Sequence, residues 1–227
     1  MASFFERQRA ELAAAGIDPD RLPPGQYRST DFPVLHVGDV PDWRDLSGWD
    51  LRVTGQVEHP FSLTFDELRA MPSVTVTRDI HCVTKWSVFD QTWTGVRVAD
   101  LFDRAGLKPG ASHVMEWGDG GYTTNVPLVD LVEDGIVAYE LEGRPIPPEH
   151  GYPARIVLPR LYFWKSAKWL RCLDVMAGDR PGFWERNGYH MRAEPFAEER
   201  FGRGGLFSPR AVWSRAFGKP AKGMPEV

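Results

Sequence analysis

Residues 74–86 read VTVTRDIHCVTKW, and this stretch decides how the chain is organised. Val74, Val76 and Ile80 share one parity, with Thr75, Thr77 and Asp79 between them, so residues 74–80 are predicted to form a strand with one buried face. The strand runs into His81 and Cys82, and the cysteine falls where strand gives way to loop, with Lys85 and Trp86 following on that loop. Rigid scaffolds present reactive groups at such points. Two readings of Cys82 compete. A lone cysteine packs well as a small buried hydrophobe. A thiolate beside positive charge is also a soft ligand for a transition metal. Cys172, in the middle of KWLRCLDV, reads as a packing residue.

The chain reads as α+β and β-rich on both sides of this stretch. Towards the N-terminus, Leu51, Val53 and Val57 mark another half-buried strand, and Thr64 with Glu67 caps a short helix, TFDELRAM. Ser3 and Glu6 cap an opening helix that ends near Gly16, followed by an extended Pro/Gly-rich arm, LPPGQYRSTDFPVLHVGDVP, whose Tyr27, Phe32, Val34 and Leu35 suit it to wrap over a domain and line a site. Towards the C-terminus, 96–105 reads as a helix stopped by Gly106, and 112–117 as a strand. Gly118-Asp119-Gly120-Gly121 reads as a turn, Tyr122–Val126 as a strand, and Pro127 as the first turn of a helix. Strands are predicted at 136–141, Arg155–Leu158 and Lys168–Val175. There is no repeat and no βαβ rhythm. The expected organisation is a single domain over 1–227, with a helix and extended arm at 1–30 and an irregular tail at 195–227.

The 227 residues carry 27 basic and 31 acidic side chains, a net charge of −4 that argues against general nucleic-acid binding but leaves room for a local basic pocket. Nine Trp and 13 Phe supply large, rigid walls for a pocket or a core. Two cysteines, too far apart for a C-x-x-C motif, do not make a disulfide scaffold and are expected to be free thiols in a reducing compartment. No segment approaches the ~20 apolar residues of a membrane span, and no signal peptide or twin arginine is evident, so the expected location is the cytoplasm.

Further candidates lie downstream. Arg155, Lys165 and Lys168 interleave with Tyr162, Trp164 and Trp169, a pattern suited to an anion pocket, and Ser166 adds a hydroxyl beside them. Tyr122 follows two glycines and is placed as a proton donor. His150 precedes Arg155 by few residues. The remaining histidines show no ligand spacing, which argues against a dedicated zinc site. From the residues alone, two rivals stand beside metal ligation: a thiol enzyme with Cys82 as nucleophile and His81 or His150 as base, and a non-enzymatic module holding a phosphorylated ligand through Arg155 and Lys168.

Four stretches taken together resemble the sulfite oxidase-like molybdopterin oxidoreductases: DIHCVTKWSVFDQTWTGVRVADLF at 79–102, GGYTTNVPL at 120–128, EHGYPARIVLP at 149–159 and YFWKSAKW at 162–169. The resemblance covers most of residues 30–175 in the family's order. It is strongest to the haem-free bacterial branch, which includes the catalytic subunit of periplasmic methionine sulfoxide reductase. It implies a β-rich fold of mixed sheets and short helices around one molybdenum–molybdopterin cofactor per chain, with Cys82 coordinating molybdenum. His150 and Arg155 would contact the pterin and its phosphate, and Ser166, Ala167 and Lys168 would hold the phosphate, with Lys165 at another basic position. Tyr122 matches the active-site tyrosine of sulfite oxidases. Thr30, Asp31 and Phe32 fall where the N-terminal segment meets the pterin, and Gly118 lies near a further cofactor contact. Trp86, Trp93 and Trp117 are candidate walls of the approach.

The departures narrow the expectation. Sulfite oxidases carry a Gly-Asn-Arg-Arg-like run after the cysteine, whereas this chain has Val83-Thr84-Lys85-Trp86. No haem domain, iron–sulfur cysteine cluster or immunoglobulin-like dimerisation domain is recognisable. The sequence therefore predicts a monomeric mononuclear molybdenum oxidoreductase that moves an oxygen atom to or from a small S- or N-oxide and exchanges electrons with a separate partner.

Overall fold

The computed structural model describes residues 3–202 and 224–225, so most of the tail expected at 195–227 lies outside the described residues. The chain opens with helix α1 (Phe4–Ala14), whose Ser3/Glu6 capping box forms as the sequence predicts. It passes through the two-residue strand β1 (Tyr27–Arg28) and a long irregular arm to β2 (Asp50–Gly55) and β3 (Phe61–Thr64). Thr64 and Glu67 close a second capping box on α2 (Phe65–Ala70). There follow β4 (Val74–His81), β5 (Trp86–Arg97), α3 (Val98–Ala105), β6 (His113–Gly118), β7 (Thr123–Pro127) and α4 (Leu128–Asp134). The described chain then runs through β8 (Ile136–Leu141), β9 (Arg144–Pro145), β10 (Arg155–Val157), β11 (Leu170–Met176) and the one-turn helix α5 (Phe183–Arg186).

The strands form two mixed sheets. In the first, β1, β5, β8 and β10 are successive neighbours, with β4 also on β5 and β9 on β8; the second runs β3-β2-β11-β6-β7. A large apolar core of Leu51, Val53, Leu101, Phe102, Ile156 and Leu173 joins sheets and helices. A second cluster, richer in aromatics, gathers Trp86, Trp93, Phe163, Trp164, Trp184 and Tyr189 around Cys82.

The long strand β5 corrects the sequence reading, which places Lys85 rightly in the loop but treats Trp86 as loop too and starts a helix at 96. Trp86–Phe89 are all buried, so the alternation that marks a half-exposed strand is missing there. Helix α3 begins at Val98, after Val96 and Arg97 have completed the pairing with Val137 and Ile136.

Candidate functional site

Cys82 sits in the tight turn that joins β4 to β5. Its amide donates to the Trp86 carbonyl at 2.9 Å, and its carbonyl accepts from the Lys85 amide at 3.0 Å. Lys85 adopts a left-handed φ of 79°, which lets the turn close. Two distant segments hold the turn from outside: Gln26 Nε2 donates to the Cys82 carbonyl at 2.9 Å, and Arg200 Nη1 to the Val83 carbonyl at 3.0 Å. Cys82 is 9% exposed, and its thiol accepts a side-chain hydrogen bond from Thr84 Oγ1 at 3.1 Å. Burial pushes the thiol pKa up, opposed by the Thr84 bonds and, at longer range, by Arg200 and Lys168.

Neither histidine offered as a base meets this sulfur by a hydrogen bond. His81 turns its Nδ1 to Ser87 Oγ at 2.8 Å, and burial brings its pKa down to about 4. His150 reaches the same cavity as Cys82, where its ring packs 4.6 Å from that of Phe32. Burial, then Arg155 and Lys168, bring its pKa down to about 4, so the ring is neutral at pH 7. Its Nδ1 is buried without a hydrogen-bond partner.

Arg155 opens β10 and is 1% exposed. Its guanidinium donates to the carbonyls of His150 (2.7 Å), Ser166 (3.0 Å) and Ile156 (3.2 Å), and lies 4.1 Å from the centre of the Phe163 ring. Burial draws its pKa down to about 9. Lys168 likewise hydrogen-bonds to carbonyls, those of Glu149 at 2.7 Å and Leu35 at 2.8 Å, and its pKa falls to about 7 through burial and then Arg155. Neither cation forms a salt bridge with a carboxylate among the described residues. The backbone around Lys168 is gripped by two glycines. A Cβ on Gly118 would lie 2.4 Å from the Lys168 carbonyl oxygen, and one on Gly151, at φ 119°, 3.1 Å from Arg155 Cβ and 3.2 Å from Lys168 Cβ.

Thiol and cations face one cavity of about 840 Å³, counting its open mouth. Of the residues singled out from sequence, Cys82, Phe32, Tyr122, His150, Arg155, Ser166 and Lys168 line it. The others stand apart. Thr30 and Asp31 are exposed on the arm outside the lining. Ala167 is buried behind it, its amide donating to Glu116 Oε2 at 2.7 Å. Gly118 acts through its close approach to Lys168. Lys165 is fully buried away from the cavity, with Glu185 Oε1 at 2.6 Å and the Asn125 carbonyl at 2.8 Å. Of the three tryptophans offered as walls, Trp86 lines the cavity, whereas Trp93 is fully buried in the aromatic cluster and Trp117 lies off the lining. Tyr122 donates its hydroxyl to the Trp164 carbonyl at 2.5 Å, and burial with Glu185 and Glu116 nearby raises its pKa well above 10.

Sequence reasoning missed Trp184 and Tyr189, whose rings stack at 4.8 Å and close one side, and named neither Pro33, His36 and Val37 on the arm nor Val83 beside the thiol as lining. The excess of aromatics was the only signal for the first pair.

The donor set constrains what fits. No group of three or more His, Cys, Asp or Glu side chains is arranged to hold a metal among the described residues, so the protein would offer a metal a single thiolate. A buried and a half-buried cation without a salt bridge among the described residues, and an unpartnered His150 nitrogen, fit a polyanionic group that also brings its own metal ligands.

Comparison with known proteins bears on this directly. Residues 37–184 match the oxidoreductase molybdopterin-binding domain. The chain is 50% identical over 182 residues to the uncharacterized oxidoreductase YuiH of Bacillus subtilis (strain 168), covering 80% of this chain and 92% of that one. It is 25% identical over 190 residues to the sulfite oxidase of Arabidopsis thaliana, covering 68% of this chain and 48% of the relative, about half its length. In fold it is similar to the sulfane dehydrogenase SoxCD of Paracoccus pantotrophus, with a TM-score of 0.57 and 23% identity over 63% of this chain and 41% of that one. The extent of the domain match and the half-identity to a full-length relative place the chain in a family: it belongs to the sulfite oxidase-like molybdopterin oxidoreductases, and is an enzyme of that class.

Proposed function

We propose that this chain is a mononuclear molybdenum oxidoreductase that moves an oxygen atom to or from a small organic S- or N-oxide and exchanges electrons with a separate protein. The observation that carries the reading is the gathering, in one cavity, of a single buried thiol, the buried Arg155 guanidinium and the half-buried Lys168 ammonium, neither cation in a salt bridge among the described residues. When bound, the cofactor supplies two-electron oxygen-atom chemistry. Cys82 would be the protein's ligand to its metal. Arg155, Lys168, Ser166 and the neutral His150 would hold its anionic end. Phe32 and Trp86 would exclude water from its flanks. Tyr122 is a neutral phenol at physiological pH, and would donate a hydrogen bond to a substrate oxygen by turning its hydroxyl away from the Trp164 carbonyl.

The run after Cys82 speaks for a neutral substrate rather than an oxyanion. It contributes Val83 and Trp86 to the wall and turns Lys85 towards the Phe5 ring, 5.4 Å away. No described helix is long and apolar enough to cross a membrane, and both cysteines are unpaired. We take the enzyme to act as a monomer in the reducing cytoplasm.

Elemental analysis of protein from a molybdenum-replete host, with pterin fluorescence after denaturation, tests the reading. Stoichiometric molybdenum that disappears in Cys82→Ser is the expected result. Metal-free, pterin-free protein that loses activity on alkylation of Cys82 would instead select the thiol-enzyme reading. Phospho-ligand binding unaffected by Cys82→Ser would select the binding module.

A further inference from the structure

The Cys82 sulfur accepts a side-chain hydrogen bond from a residue only two positions away. Thr84 Oγ1 donates to Sγ at 3.1 Å and lines the cavity beside it. The geometry is fixed from several sides, because the backbone of the turn is tied to Trp86, Gln26 and Arg200 and closes through the left-handed Lys85. The two side chains are thus presented to each other by a rigid frame rather than by chance rotamers. A hydrogen bond to a ligand sulfur draws electron density away from it, weakens its donation to a metal and favours the metal's reduced state.

We infer that Thr84 is a tuning residue for the metal ligand: its hydroxyl raises the reduction potential of the centre that Cys82 holds. The inference rests on the molybdenum reading of this site and deepens it, assigning to the chain's own Val83-Thr84-Lys85-Trp86 run a control over redox poise. The role is electronic, so it requires the hydroxyl and not the shape of the side chain.

Thr84→Val keeps the branched shape and removes the donor; Thr84→Ser keeps the donor. Thr75, whose hydroxyl pairs with that of Thr94 on the far part of the β4–β5 ribbon, gives a control variant, Thr75→Val. The readout is a potentiometric titration of the molybdenum centre followed by electron paramagnetic resonance, on cofactor-loaded protein of measured metal content. The expected result is a lower potential and altered Mo(V) g-values in Thr84→Val, both restored in Thr84→Ser and unchanged in Thr75→Val. A fully loaded Thr84→Val protein with wild-type potential and g-values overturns this inference and leaves the molybdenum reading standing. Loss of metal from Thr84→Val but not Thr84→Ser also overturns it, assigning the hydroxyl to cofactor retention. Wild-type protein without molybdenum overturns both.

Discussion

Two lysines three residues apart on the same segment have opposite surroundings. Lys165 is sealed from solvent with Glu185 at 2.6 Å and two oxygens of Asn125 beside it, and Glu185 also accepts from Trp164 Nε1 and Thr124 Oγ1. Lys168 hydrogen-bonds to the carbonyls of Leu35 and Glu149 and lies 5.8 Å from the centre of the Trp169 ring. The first is a closed ion pair that pins α5, and with it Trp184, against the cavity. The second is a cation presented to the cavity without a salt bridge to a carboxylate among the described residues, Glu149 acting on it only at longer range. Neighbouring basic residues thus divide into one that holds the wall and one that, on the proposed reading, would meet an anion.

The largest effect is expected where the comparison is sharpest. Lys165→Met leaves the Glu185 carboxylate buried without a counter-charge, and breaking one side of a buried pair costs about 3–5 kcal/mol. Denaturant unfolding should show that loss, and Lys165→Met combined with Glu185→Leu should recover much of it. A single-variant loss below about 1 kcal/mol would mean that water reaches the pair, and the division between the two lysines would collapse.

Lys168→Met should behave in the opposite way. The cofactor-free protein should unfold at or above the wild-type midpoint at pH 7, since a poorly solvated charge is replaced by an apolar chain of similar length. Retention of the molybdenum–pterin group should fall roughly 10- to 100-fold, the range seen when a supporting contact to a metal group is removed. Molybdenum per chain after extended dialysis measures it. Undiminished retention would move the anion's main anchor to Arg155.

The same contrast explains what the sequence disclosed. Cys82 was legible because β4 alternates and ends at His81, a local signal. The capping boxes at Ser3/Glu6 and Thr64/Glu67 were legible for the same reason. The basic, aromatic-rich 155–169 region singled out Arg155, Ser166 and Lys168, which the fold brings to one cavity, but the division between Lys165 and Lys168 was hidden. Asn125 and Glu185 reach Lys165 from far along the chain, and Leu35 reaches Lys168 across 133 positions. Strand β5 was hidden because its first four residues are buried on both faces and carry no period. Trp184 and Tyr189 are brought to the wall by α5 and its exit turn, whose placement depends on the Glu185 ion pair rather than on any local motif.

The finest test of the comparison is its pH dependence. Burial, then Arg155, hold the Lys168 pKa at about 7 against an ordinary value of 10.5. Between those values the unfolded chain binds the Lys168 proton more tightly than the folded one, so the stability of the cofactor-free protein gains a contribution that rises with pH. Below pH 7 the ammonium is charged in both states and its burial penalty is fully felt; above 10.5 it is neutral in both and the penalty is gone. One proton gives at most about 1.4 kcal/mol per pH unit. Other groups titrate in this range, so the quantity to follow is the stability of wild type relative to Lys168→Met, which should grow from pH 7 to 10. A bound phosphate-bearing anion would restore the ammonium's pKa and flatten that growth below pH 10. If the difference is flat without any anion, Lys168 carries its full charge comfortably in the empty cavity. The carbonyls of Leu35 and Glu149 would then suffice as its partners, and the demand for an anion would rest on Arg155 alone.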